Sequence, residues 1–166
     1  GLPVEQAVGS MVIDVGGGTT EIAVIALSGC VAPESLRVAG DEMDRAIIEW
    51  MRVKYNLLIG PRNAEQLKFQ IGSAMPLDPE EEAPVRGRDL VAAIPKTLMV
   101  DSIEIREALS QPVQQIVAGV RRALERTPPE LAADILDNGM VLSGGGGKLR
   151  GLRERLVEAT SLPTFL

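Results

Sequence analysis

Two stretches of this chain hold more glycine than a turn needs. Asp14-Val15-Gly16-Gly17-Gly18-Thr19-Thr20 sets a carboxylate, three glycines and two hydroxyls in a row, and far along the chain Ser143 leads into Gly144-Gly145-Gly146-Gly147. Each glycine costs backbone entropy, so such clusters point to bare backbone that must come close to something. Amides, an acid and hydroxyls together suit phosphate. The amides cradle its oxygens, Asp14 would hold Mg²⁺ through water because this ion dehydrates reluctantly, and threonine hydroxyls orient an attacking water. Either loop taken alone reads equally well as a tight turn. Two of them on one α/β pattern, the first led by an acid, favour a site.

The familiar glycine motifs do not fit. A P-loop needs G-x-x-x-x-G-K-[ST], but Leu142 stands at its first glycine and Leu149 where its magnesium-binding hydroxyl belongs. The Rossmann fingerprint would place its third glycine on Leu149 or on Glu21, and the Gly16 loop leads into a strand rather than a helix. The remaining reading is a two-loop site, with one loop at a hairpin tip and one at a strand exit.

The flanking patterns say what must position these loops. Met11 to Ile13 and Glu21 to Leu27 read as the arms of a β-hairpin, and after a turn at Ser28-Gly29 a third strand runs from Cys30 to Val38, an antiparallel meander. Gly40-Asp41 opens a helix with Asp41 as its cap and Asp44 favourable in its first turn; Met43, Ala46, Ile47, Trp50 and Met51 form its apolar face. From Leu57 to about Val100, glycines and prolines break the chain into a small α+β insertion. It holds a helix over Asn63 to Ser73, a solvated turn at Glu80-Glu81-Glu82 and a short hairpin over Val85 to Leu90.

Asp101 and Glu104 have the form of a capping box, and a further helix is expected from Ser110, with Pro112 in its first turn. Thr127-Pro128-Pro129-Glu130 signals another start, with Thr127 capping and Gly139 closing that helix. Met140 to Ser143 reads as a buried strand, Lys148 to Thr160 as a helix and Leu162 to Leu166 as a strand start.

Composition narrows the classes. With 45% hydrophobic but only 2% aromatic residues, the core must be aliphatic and methionine-rich. A net charge of -6 without a basic cluster argues against nucleic acid as a partner. The absence of histidine removes imidazole catalysis, and the single Cys30 excludes an internal disulfide and fits a reducing compartment. The longest apolar run, Ile22 to Leu27, is too short to span a membrane. The chain reads as a cytoplasmic domain without a membrane segment of its own.

At this point the residues resemble a family. Ile13 to Glu21 is similar to the second phosphate loop of the actin, heat-shock chaperone and sugar-kinase superfamily, and Val141 to Gly146 to its adenosine loop. Ala39-Gly40-Asp41-Glu42-Met43-Asp44, Ala64 to Ser73, Val85-Arg86-Gly87-Arg88 and Pro128 to Ala132 resemble MreB, the bacterial actin family. The resemblance implies an α/β fold: an RNase-H-like actin-type subdomain, with a mixed sheet beginning in a three-strand antiparallel meander, helices on its faces and a small α+β insertion. Residues 1–56 and 101–166 would be subdomain IIA, and 57–100 subdomain IIB.

It further implies ATP and Mg²⁺ as cofactors. Gly16, Gly17, Gly18 and Thr19 would face the β- and γ-phosphates, with Thr20 beside them. Thr19 would position the hydrolytic water and Asp14 would sit at the metal. Glu65 and Lys68, one helical turn apart, would contact ribose and adenine, and Gly144, Gly145, Gly146 and Gly147 would lie against the adenosine. Ala39 replaces a usual glycine, and Gly147-Lys148 a usual small-then-apolar pair. The first phosphate loop and the catalytic glutamate of the family fall outside these 166 residues, so the chain alone is expected to bind ATP weakly and not to hydrolyse it. The implied function is half of an ATP-binding, filament-forming cytoskeletal protein that determines cell shape by organising wall synthesis at the inner face of the cell membrane. Self-association would be head-to-tail through IIA and IIB, with a membrane-anchored adaptor such as RodZ on IIA. The alternatives are half of a chaperone- or sugar-kinase-type ATPase domain, or an interaction module without a nucleotide.

Overall fold

A computed structural model describes residues 9–27 and 29–166. The first elements are β1 (Ser10–Val15), β2 (Thr20–Ala26) and β3 (Gly29–Leu36), the expected meander. Ser28, of the expected turn, lies outside the described residues. Met11, Ile13 and Val15 point to one face of β1 and are fully buried, the period-2 pattern of a strand with one face on a core. Late in the chain β7 (Met140–Ser143) and β8 (Thr164–Phe165) add to the same sheet, in the order β3-β2-β1-β7-β8. β7 runs parallel to β1, with Asp14 opposite Ser143, and β8 runs parallel to β7. The mixed sheet is therefore as expected.

Helix α1 (Gly40–Tyr55) buries Met43, Ile47 and Met51, one residue per turn. Its N-cap is Ala39 in extended backbone, not Asp41, and no side chain caps it. The amides of Gly40 and Asp41 donate instead to the carbonyls of Gly16 and Gly17 at 3.1 and 2.8 Å. The hairpin loop does the capping. Asn56 ends the helix in the left-handed region.

The segment after α1 builds its own three-stranded sheet, β4-β5-β6, from β4 (Leu57–Leu58), β5 (Glu82–Asp89) and β6 (Pro95–Asp101), beside α2 (Pro61–Ile71). The hairpin is formed by β5 and β6 around residues 90–94 rather than within Val85 to Leu90, because the polar alternation of β5 continues to Asp89. Gly87 lets β4 close on β5, since a Cβ there would stand 2.4 Å from the Leu58 carbonyl.

Helix α3 (Ser102–Arg126) is one helix of 25 residues, not two. Asp101 caps it by accepting from the Glu104 amide at 2.8 Å. The Glu104 carboxylate does not complete the box; it binds Trp50 Nε1, Tyr55 Oη and Lys54 and so ties α3 to α1. Pro112 sits inside the helix, where a missing amide usually breaks the ladder. Ile105, Leu109, Val113, Ile116 and Val120 bury a continuous face on both sides of it, and tertiary packing prevails over local propensity. Gly119 allows close approach to the sheet: a Cβ there would meet the Leu36 side chain at 2.5 Å.

Helix α4 (Pro129–Asn138) starts after Pro128. Thr127 is not its cap, because its hydroxyl donates back to the Ala123 carbonyl of α3. Beyond β7 the expected single helix divides. Gly146–Lys148 forms one 3₁₀ turn, and α5 (Leu152–Thr160) begins only after Gly151. The second glycine loop is therefore followed by a short turn, not by a full helix N-terminus.

Candidate functional site: two glycine loops at one end of the sheet

Parallel pairing of β1 and β7 delivers both glycine loops to the same end of neighbouring strands. The first loop closes with a Gly16 amide to Thr19 carbonyl bond of 2.9 Å, and its carbonyls are fastened to the start of α1. Among the described residues, the amides of Gly17, Gly18 and Thr19 donate to no protein group, and neither do those of Gly145, Gly146 and Gly147. A Cβ at Gly18 or at Gly145 would meet nothing within 4 Å. Free donors beside open space form the cradle an anion requires.

The remaining expected site residues divide. Asp14 is exposed at the end of β1 and abuts the second loop, where a Cβ on Gly144 would lie 2.4 Å from its Oδ1. Thr19 is exposed in the first loop. Thr20, which the sequence groups with it, is turned away: it is fully buried and its hydroxyl donates to the Val38 carbonyl at 2.6 Å. Glu65 is exposed on α2, and Lys68, one turn later, is 8% exposed. Its Nζ lies 2.8 Å from Asp44 Oδ1 and donates to the Gly40 carbonyl at 3.2 Å. Burial pushes the Asp44 carboxyl up, and the Lys68 ammonium pulls it back. Lys68 thus joins α2 to the start of α1, directly behind the first loop. A small cleft of about 50 Å³ runs from Met43, Lys68 and Phe69 to Gly145, Gly146 and Leu149, and so joins α2 to the second loop. Lys148 is exposed on its rim.

Both cofactor expectations can be set against this geometry. Six unpartnered amides and two open glycine positions suit a polyphosphate. Among the described residues no cluster of three His, Cys, Asp or Glu could cage a metal. A magnesium ion would fit there only as it commonly binds with nucleotides, through one carboxylate, Asp14, with phosphate and water filling the other positions.

Sequence reasoning missed two features. One is Asp44, read only as a helix-dipole residue, which turns out to pair with Lys68. The other is the acidic run. It is not a solvated turn: Glu80 binds Arg106 at 2.9 Å and accepts from the Ser102 hydroxyl, and Glu81 binds Arg150 through both oxygens at 3.1 and 2.9 Å. The Arg106 guanidinium, helped by Ser102, holds the Glu80 carboxyl at about 2, against an ordinary 4.5. The signal was present in arginines on other elements, but no local pattern links Glu81 to a residue so distant in the sequence.

Among the described residues no helix is long and apolar enough to cross a membrane. The MreB/Mbl protein family model matches residues 1–166. The cell shape-determining protein MreB of Escherichia coli (strain K12) is 52% identical over 166 residues, which is 100% of this chain and 48% of that protein. Mbl of Bacillus subtilis (strain 168), also a cell shape-determining protein, is 43% identical over 100% of the chain and 50% of its own length. The chain thus spans about half the length of the curated relatives it matches. Among solved structures, MreB5 of Spiroplasma citri bound to ADP superposes with a TM-score of 0.95 at 38% identity, over 99% of this chain and 50% of that one. A MamK double helical filament shares the fold, with a TM-score of 0.72 at 24% identity, over 93% of this chain and 48% of that one. With the actin-like fold, the paired glycine loops and these relatives together, the chain belongs to the MreB/Mbl family.

Proposed function

We propose that this chain is the nucleotide-facing half of an ATP-binding, filament-forming cytoskeletal protein that determines cell shape by organising wall synthesis at the inner face of the cell membrane. Residues 1–56 and 101–166 are subdomain IIA in this reading, and 57–100 are subdomain IIB. The observation that carries it is the pair of glycine loops on neighbouring parallel strands, with unpartnered amides in both. A relative solved with ADP bound supports the choice of ligand.

Gly16 to Thr19 face the terminal phosphates, which the free amides of Gly17, Gly18 and Thr19 receive, Gly144 to Gly147 lie along the nucleoside side, and Thr19 holds a water in line. Asp14 holds Mg²⁺, which supplies charge neutralisation on the phosphates when bound. Lys68, already fixed by Asp44 and Gly40, offers a positioned cation to the nucleoside, with Glu65 beside it. Subunits join head-to-tail through IIA and IIB, and an adaptor such as RodZ docks on IIA. The test is pelleting and electron microscopy of the full-length protein that contains this chain, with Mg-ATP, with ADP and without nucleotide. ATP-promoted filaments that Asp14→Ala weakens are expected; pelleting indifferent to nucleotide would overturn the reading.

A further inference from the structure

Arg150, three residues beyond the second glycine loop, is held by the insertion. Arg150 stands two positions beyond the 3₁₀ turn, on the wall of the cleft. Its carbonyl accepts from the Ala74 amide at 2.8 Å, and it forms a parallel bridge with Ser73. Its guanidinium donates to the Gln70 carbonyl at 2.8 Å and the Gly72 carbonyl at 3.3 Å, which end α2, and grips Glu81 with two nitrogens. The next residue, Gly151, has φ +75°, and a Cβ there would lie 2.9 Å from Met75. The exit of the loop is thus stitched to residues 70–81 by backbone, side chain and packing.

We propose that Arg150 and Glu81 form a positioning clasp that sets the geometry of the Gly144–Gly147 loop and couples it to the insertion. This rests on the nucleotide reading above for its purpose, but not for its existence. A bidentate guanidinium–carboxylate pair fixes both direction and distance. Among the described residues, the loop's own internal closures are only the long Lys148–Gly145 and Leu149–Gly146 bonds, at 3.3 and 3.2 Å. The clasp therefore supplies order that the loop does not generate itself. Arg150 positions the loop, and the loop touches the ligand.

The experiment is amide hydrogen exchange on the full-length protein that contains this chain, read at Lys148 and Leu149, with and without ADP. Exchange there is expected to speed up about fivefold in Glu81→Gln and more in Glu81→Ala, and to return towards the parent in Glu81→Asp. Glu82→Gln is the control, since Glu82 makes no ion pair among the described residues. Melting temperature should change little in all four, because Glu81 is partly exposed. Loop exchange in the Glu81 variants equal to the parent would overturn the clasp. Should the clasp behave as expected while ADP protects neither glycine loop, the nucleotide reading falls and the clasp stands.

Discussion

The two glycine loops look alike in sequence and differ in what their glycines do. In the second loop the folded chain itself demands two of them: a Cβ at Gly144 would lie 2.3 Å from the Val15 carbonyl at a φ of +85°, and one at Gly146 would stand 2.6 Å from the Val15 side chain, whereas Gly145 is open. In the first loop it does not. Gly17 and Gly18 have room for a methyl group, and neither takes a positive φ. Glycines that packing does not require are left to be explained by a ligand. Gly144 and Gly146 bring two strands' exits together, whereas Gly17 and Gly18 keep a surface bare.

The largest effect should come from Gly144→Ala. Collision with backbone on a left-handed residue is expected to cost about 3 kcal/mol or more, read as a large fall in the urea midpoint. Next, Lys68→Ala leaves the partly buried Asp44 without its counter-ion beside the first loop, which should cost about 2 kcal/mol in the same measurement. A third expectation concerns the segment stitched to the second loop. Glu80 has a folded pKa of about 2, below its ordinary 4.5, so the stability it contributes is present above 4.5 and is lost as pH falls through 2. The melting temperature of Glu80→Gln should accordingly vary less than the parent's between those values. The smallest effect on stability belongs to Gly18→Ala, within about 0.5 kcal/mol of the parent, yet ADP affinity measured by calorimetry should fall. A Gly18→Ala as damaging to the fold as Gly144→Ala would erase the contrast between the loops.

What could be read from sequence was what local pattern encodes. The meander, both loops, α1 and the buried faces of α3 follow from periodicity, since Met43, Ile47 and Met51 or Val113, Ile116 and Val120 recur at one spacing whatever they pack against. The errors fell where a distant partner decides. Asp41 did not cap α1, because the Gly16 and Gly17 carbonyls take the first amides. Pro112 did not start a helix, because burial on both sides carries α3 through it. Thr20 left the site because the Val38 carbonyl takes its hydroxyl. Glu80 and Glu81 looked solvated because Arg106 and Arg150 belong to other elements.

The parallel pairing of β1 with β7 also governs when the site comes into being. Asp14 and Ser143 are neighbours in space but lie near opposite ends of the chain, and such a contact closes late, after the entropy of the intervening loop has been overcome. During synthesis the first loop can complete its hairpin early, but it faces no second loop until β7 emerges and docks. A chain arrested before Met140 would own half a cradle and no cleft. Juxtaposition of the two loops is in this sense a report that the whole sheet has assembled.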